Sequence, residues 1–195
     1  MVLTIYMKVG LFFGSFNPIH VGHLIIANYM ATQTDLDRVW LVVSPQNPLK
    51  PKSTLAKDRD RLNMVRLAIE DNDRLKASDI EFHLPQPSYT IDTLTYIAER
   101  YPQHEFALIM GGDNLATLSK WKNPEAILSG YDIYVYKRAN FDPGEFANHP
   151  RVRLLGAPVM DISATWIRKC LAEKRSIQYL TPDKVVEYLE SAKIY

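Results

Sequence analysis

Only one cysteine, Cys170, occurs in 195 residues. That rules out an intramolecular disulfide framework and leaves no cysteine-rich zinc site. An excess of either charge is also missing: 23 Lys and Arg face 22 Asp and Glu, for a formal net charge of +1. A broad nucleic-acid surface would want a basic excess, whereas a small phosphate pocket needs only a few local positive charges. No stretch approaches the ~18 consecutive apolar residues of a membrane span. The opening MVLTIYMKVGLFFG is apolar, but it has no basic leader or small-residue cleavage site, and Lys8 interrupts it. A cytoplasmic protein is therefore expected. Internal repeats, low-complexity tracts and interdomain linkers are absent as well, so residues 1–195 are read as a single domain with a substantial core.

What the chain does contain is 47% hydrophobic residues, arranged as short all-apolar runs alternating with segments of helical spacing. Residues 9–13, 39–43, 106–110, 133–136 and 152–155 read as buried strands, with a further strand over 75–82. Helical periodicity covers 21–34, 57–71, 90–100, 124–128 and 164–172. A last helix is expected over 182–192, with Thr181 as its N-cap and Pro182 at its first position. Residues 44–53, with three prolines and two lysines, form a loop, as do 141–150. Strand and helix in alternation predict an α/β fold: a doubly wound parallel sheet with helices on both faces and ligands at the carboxyl ends of the strands.

The strongest chemical signal lies where the first strand meets the first helix, in Gly14-Ser15-Phe16-Asn17-Pro18-Ile19-His20-Val21-Gly22-His23. Gly14 lets the backbone approach a ligand, and a turn there can aim N–H groups at a phosphate. The helix N-terminus beyond adds about +0.5 of partial charge. His20 and His23, three apart, share one face of the first helical turn. Gly22 between them costs ~1 kcal/mol against alanine, which implies that something packs closely there. Two imidazoles at the positive end of a helix make sense beside an anion. A helical zinc pair would instead stand at i, i+4 with a nearby glutamate, and neither feature is present.

These residues, Gly14-Ser15-Phe16-Asn17-Pro18 followed by His20-x-Gly22-His23, resemble the nucleotidyltransferases with an HxGH motif. The late segment Ile162-Ser163-Ala164-Thr165-Trp166-Ile167-Arg168 is similar to the ISSTxIR segment of the same enzymes. Between them lie Ser88-Tyr89-Thr90-Ile91-Asp92-Thr93-Leu94, Gly111-Gly112-Asp113-Asn114 and Trp121-Lys122. The set and its order resemble the bacterial nicotinate-nucleotide adenylyltransferase family. Phe13, Leu49 and Ala164 depart from its pattern, which often has glycine, histidine and serine there. That family begins just before its first strand, so Met7 is an alternative start, with residues 1–6 as an extension.

The resemblance implies transfer of AMP from ATP to nicotinate mononucleotide, giving deamido-NAD and pyrophosphate within NAD biosynthesis. It implies a Rossmann-like fold whose C-terminal helical part, about 160–195, completes the ATP site. Gly14, Ser15 and Phe16 are then expected to cradle the reacting phosphate. His20, His23, Lys50 and Arg168 supply the catalytic hydrogen bonds and charge, while Gly111, Asp113, Ile162, Ser163 and Thr165 join the ATP side. Thr90, Thr93, Trp121, Lys122 and Arg138 are assigned to the acceptor nucleotide. Four of these assignments have a plain structural competitor: core packing for Trp121, a cap and a helix-face residue for Thr90 and Thr93, a turn aspartate for Asp113. No side chain is expected to ligate a metal; Mg²⁺ arrives on ATP, bridging phosphate oxygens. Nicotinamide mononucleotide and pantetheine phosphate remain alternative acceptors, and a nucleotide sensor without turnover is the alternative class. Whether copies associate into a homo-oligomer is left open. Lys57, Asp58, Arg59, Asp60 and Arg61 are assigned to a solvated, self-pairing helix start, with a place lining the site left open for Arg61, and Cys170 to a small buried hydrophobe.

Overall fold

The computed structural model describes residues 6–45, 55–137 and 144–195. Its strands are β1 (Met7–Gly14), β2 (Arg38–Val43), β3 (Leu75–Ser78), β4 (His104–Gly111), β5 (Asp132–Tyr136) and β6 (Val152–Leu155). They form one parallel sheet in the order β3-β2-β1-β4-β5-β6. The direction of winding reverses between β1 and β4, where Phe12 stands beside Ile109. In a doubly wound sheet, the crevice at the carboxyl ends of that pair is the place for a ligand.

Both faces of the sheet are buried, which is why the strands read as continuous apolar runs rather than alternating ones. In β2, Val39, Leu41 and Val43 enter one core while Trp40 and Val42 enter the other; in β4, Ile109 and Leu108 part in the same way. The first core is covered by α1 (Val21–Gln33), α2 (Asp58–Ile69), α6 (Ala164–Ala172) and α7 (Asp183–Ala192). The second is covered by α3 (Thr90–Arg100), the single turn α4 (Gly112–Leu115) and α5 (Pro124–Gly130). Cys170 is buried in the first core. Among the described residues no helix is long and apolar enough to cross a membrane.

Three local expectations need correction. The strand expected over 75–82 stops at Ser78, and Ile80–His83 is a 3-10 turn. Asp113, read as a possible turn aspartate, lies on the single helical turn α4 that Gly112 begins. Thr181 does not cap α7: Pro182 holds the cap position, while the buried Thr181 hydroxyl donates to the Ile19 carbonyl at 2.9 Å. That bond reaches the segment joining β1 to α1, so the competing partner was tertiary and invisible to local capping rules. The 141–150 loop contains a 3-10 turn, Glu145–Asn148; residues 141–143 lie outside the described residues.

At the amino ends of the strands, remote from the crevice, Lys8 Nζ lies 2.8 Å from Asp132, 3.2 Å from Asp35 and 3.4 Å from Glu105. The Tyr134 hydroxyl also donates to Asp35. Burial pushes the Asp35 carboxyl up, but the bonds from Tyr134 and Lys8 outweigh it and bring its pKa down to about 2. A carboxyl depressed by folding stabilises the fold above its unfolded pKa of about 3.9, and that contribution disappears as pH falls through the folded value. Asp35→Asn should therefore melt below the parent at neutral pH. The gap should narrow between about pH 4 and about pH 2, as thermal denaturation across that window will show.

Candidate active site

The segment from Gly14 to His20 is built around a residue in an unfavourable conformation. Phe16 has φ of 43°, in the left-handed region that costs a side-chain-bearing residue roughly 1–2 kcal/mol. Its ring folds back over Gly14, so closely that a Cβ on Gly14 would lie 2.8 Å from it. Glycine at position 14 is thus a steric requirement. The ring is edge-packed on Phe12 at 5.9 Å and on His23 at 5.1 Å, and this packing helps to offset the backbone cost.

Beneath the turn sits Arg61, fully buried. Its Nε donates to the Ala56 carbonyl at 3.1 Å. One terminal nitrogen serves the carbonyls of Ser15 and Ser44, and the other serves the Pro45 carbonyl and the Asp58 carboxylate. Of the two places open to Arg61, the solvated one is wrong and the one beside the site holds. Position 61 lies on the same helical face as Val65 and Ala68, and both are buried. An arginine at i, with apolar partners at i+4 and i+7, was the available signal. Holding the Ser15 carbonyl inward has a consequence across the trans Ser15–Phe16 peptide, because the Phe16 N–H must point the opposite way.

His20 and His23 stand at the head of α1 with rings stacked, centroids 3.7 Å apart. The His20 backbone N–H donates to His23 Nδ1 at 3.3 Å, so the two histidines form a reciprocal cap on the helix. Since His23 Nδ1 accepts, its ring proton belongs on Nε2, the far side of the imidazole. A Cβ on Gly22 would lie 3.1 Å from the His20 ring, which is the close packing that glycine implied.

Four bonds from the C-terminal part of the chain reach this turn. Arg168 donates to the Asn17 carbonyl at 2.7 Å and to the Thr165 hydroxyl at 3.2 Å. The Val21 amide donates to the Leu180 carbonyl at 2.9 Å, Thr181 holds Ile19 as described, and the Tyr195 hydroxyl donates to Asn17 Oδ1. The same Oδ1 accepts the Ala56 amide at 3.0 Å. Ser163 caps α6, accepting the Trp166 amide at 3.2 Å while its own O–H stays free to donate. Ile162 packs half-buried on the first core.

Across the crevice, Gly111 ends β4 and Asp113 is exposed on α4. The first turn of α3 opens at Thr90, and no side chain caps it. Lys122 lies 2.7 Å from the Asp92 carboxylate, with its ammonium 5.0 Å from the Tyr89 ring centre. Trp121 is half-buried and packs against the second core. Thr93 does not face the crevice at all: it is fully buried, and its hydroxyl donates to Glu81 at 2.8 Å. Its place between Ile91, Leu94 and Ile97 on the inner face of α3 explains this. Lys50 and Arg138 lie outside the described residues. The structure thus gathers Gly14, Ser15, Phe16, His20, His23, Thr165 and Arg168 into one bonded group, with Thr90 and Lys122 near the head of α3. Thr181, Tyr195 and Glu81 are additions that sequence reading had placed elsewhere or passed over, and Arg61, for which a place at the site was left open, lies beneath the turn.

The sequence profile of the cytidylyltransferase-like family matches residues 11–170. A curated protein of Flavobacterium johnsoniae, named "Probable nicotinate-nucleotide adenylyltransferase", is 56% identical over 97% of this chain and 99% of its own. One of the same name from Cytophaga hutchinsonii is 56% identical over 97% and 98%. Among solved structures, the Plasmodium falciparum nicotinic acid mononucleotide adenylyltransferase is similar in fold. In complex with NaAD it aligns with a TM-score of 0.82 at 20% identity, over 97% of both chains; its complex with APC aligns at 0.81.

Replacing Arg61 strands four carbonyls and a carboxylate. Arg61→Met should cost on the order of 3 kcal/mol in urea denaturation, because buried acceptors are left without donors. Arg61→Lys should recover little of that, since an ammonium with three donors cannot serve five acceptors spread in a plane.

Proposed function

The chain belongs to the nicotinate-nucleotide adenylyltransferase family, and from that membership we propose how its residues carry adenylyl transfer from ATP to nicotinate mononucleotide, with deamido-NAD and pyrophosphate as products. The observation that carries the reading is the stacked histidine pair, with His23 Nδ1 taken by the His20 amide and Nε2 left as its N–H, beside a turn whose Ser15 carbonyl is drawn inward by Arg61.

The acceptor phosphate has a second pKa near ~6 and is already mostly dianionic at neutral pH, so it can attack the α-phosphorus of ATP without a general base. What the protein must supply is in-line placement of two anions and neutralisation of charge as the α–β bridging oxygen leaves. The Phe16 N–H faces the phosphates, and His23 donates through Nε2 to a phosphoryl oxygen. His20 lies against His23 and fixes its plane. Arg168 stays anchored to Asn17 and Thr165 through two of its nitrogens and lends its charge to the ATP tail, with the Ser163 hydroxyl beside it. Lys50, which follows β2 in sequence, is assigned a further positive charge. Gly111 and Asp113, at the carboxyl end of β4, serve the nucleoside side of ATP.

The imidazole, guanidinium and amide groups around the turn are donors suited to phosphate oxygens, and the described residues hold no cluster of three metal-ligating side chains. Mg²⁺ would arrive with ATP and supply charge neutralisation at its phosphates. On the acceptor side, the uncapped first turn of α3 offers backbone N–H groups from Thr90 onward to the carboxylate of the pyridine ring. Trp121 provides the aromatic surface, and Arg138 adds charge toward the mononucleotide phosphate. Lys122 acts through Asp92 and Tyr89 to hold the head of α3 in place.

Two measurements test this. In a pyrophosphate-release assay with ATP, nicotinate mononucleotide should turn over faster than nicotinamide mononucleotide or pantetheine phosphate. Equal rates for the acid and the amide would refute the role given to α3. His23→Ala should fold normally and lose roughly 10²–10³ in kcat, the scale of one preorganised donor to a developing charge. Near-normal turnover would remove His23 from the chemistry.

A further inference from the structure

The buried polar side chains fall into two groups. Asn17, His20, Arg61 and Thr181 surround the phosphate turn; Ser78, Glu81, Ser88 and Thr93 lie under the head of α3, and the reaction as described gives them no task. Glu81 is the carboxyl of the second group and is 3% exposed. Its Oε1 accepts the Thr93 hydroxyl at 2.8 Å. The hydroxyls of Ser44 and Ser88 approach the same carboxyl, while Oε2 is buried and closes no hydrogen bond of good geometry. Burial pushes this carboxyl above its ordinary range, and the three hydroxyls pull the other way.

The parts that meet at Glu81 belong to different elements. Ser44 directly follows β2, and its carbonyl is one of those held by Arg61. Ser88 lies in the segment leading into α3, and Thr93 is on the first turn of that helix. Ser44 is therefore gripped from two sides, its carbonyl by the arginine under the phosphate turn and its hydroxyl by the glutamate under α3. The contacts around the proposed ATP phosphates run through α1, α2 and α6 and meet Glu81 only at Ser44, whose carbonyl is one of four that Arg61 holds. A buried carboxyl with an oxygen lacking a good partner is a poor choice for stability alone, since an apolar side chain would fill the space without desolvation.

We propose that Glu81 is a positioning residue for the acceptor mononucleotide, fixing residues 88–93 against the end of β2 and so setting where the first turn of α3 stands relative to the phosphate turn. This rests on the adenylyl-transfer reading above, because it takes α3 as the acceptor side.

The test compares Glu81→Ala, Thr93→Val and Glu81→Gln in the full chain. Glutamine keeps an acceptor for Thr93 and, like the neutral acid, carries no charge. Glu81→Ala and Thr93→Val should each raise KM for nicotinate mononucleotide about tenfold or more while KM for ATP stays within about twofold, the pattern of lost acceptor binding. Glu81→Gln should stay within about threefold of the parent, and the Ala/Val double variant should be no worse than the poorer single variant, as for two ends of one interaction. Equal rises in both KM values, an unchanged KM for the mononucleotide in Glu81→Ala, or Glu81→Gln as impaired as Glu81→Ala would overturn the proposal. Circular dichroism checks folding; should Glu81→Ala not fold, Thr93→Val and Glu81→Gln decide. Parent turnover is measured first. If the parent binds nicotinate mononucleotide without turning it over, the activity reading fails. The positioning role is then judged by calorimetric affinities of the same variants for the two nucleotides.

Discussion

Everything at the carboxyl ends of the central strands depends on a buried cation whose one counter-charge is Asp58 and whose other partners are backbone carbonyls. The guanidinium of Arg61 has five N–H groups, and each finds an acceptor: four backbone carbonyls and one carboxylate. Desolvating an arginine is strongly unfavourable unless its hydrogen-bonding capacity is filled in this way. Filling it recruits the Ser15 carbonyl from the turn after β1, the Ser44 and Pro45 carbonyls from the end of β2, and Ala56 from the approach to α2. One side chain thereby ties three stretches of backbone into a floor. The left-handed Phe16 and the outward amide that follows from it are set by that floor rather than by local preference.

Placed on this floor, the histidine pair needs little further support. Each ring is limited by a neighbour: His20 by Gly22 and His23, His23 by Phe16 and Phe12. The backbone bond to His23 Nδ1 settles which nitrogen carries the proton. A reaction that needs positioned charge and no proton shuttle is well served by side chains held this tightly.

Much of the fold could be read in the chain because its strands are buried on both faces and its helices keep one apolar stripe. Runs such as Leu11-Phe12 or Leu108-Ile109 have no other reading once Gly and Pro bound them. The turn was legible for a similar reason, since Gly14, Gly22 and the two histidines make sense only if something approaches closely. The residues that escaped were those whose partners are distant in sequence. Arg61 stood in a charged run that looks solvated until the apolar face of α2 is drawn through it. Thr93 looked like a ligand contact because it sits in a motif, yet its position between Ile91, Leu94 and Ile97 turns it inward to Glu81. Thr181 satisfied every local rule for a helix cap, and a carbonyl 162 positions away claimed its hydroxyl instead.

The bonds from Arg168, Leu180, Thr181 and Tyr195 into residues 17–21 also carry a temporal consequence. A ribosome delivers the chain amino end first, so the turn that carries the main chemical motif emerges early and waits for its clasp until residues 168–195 have followed. Residues 17–21 therefore lack these four bonds until the chain through Tyr195 has left the ribosome, and the crevice they border takes its final form only then.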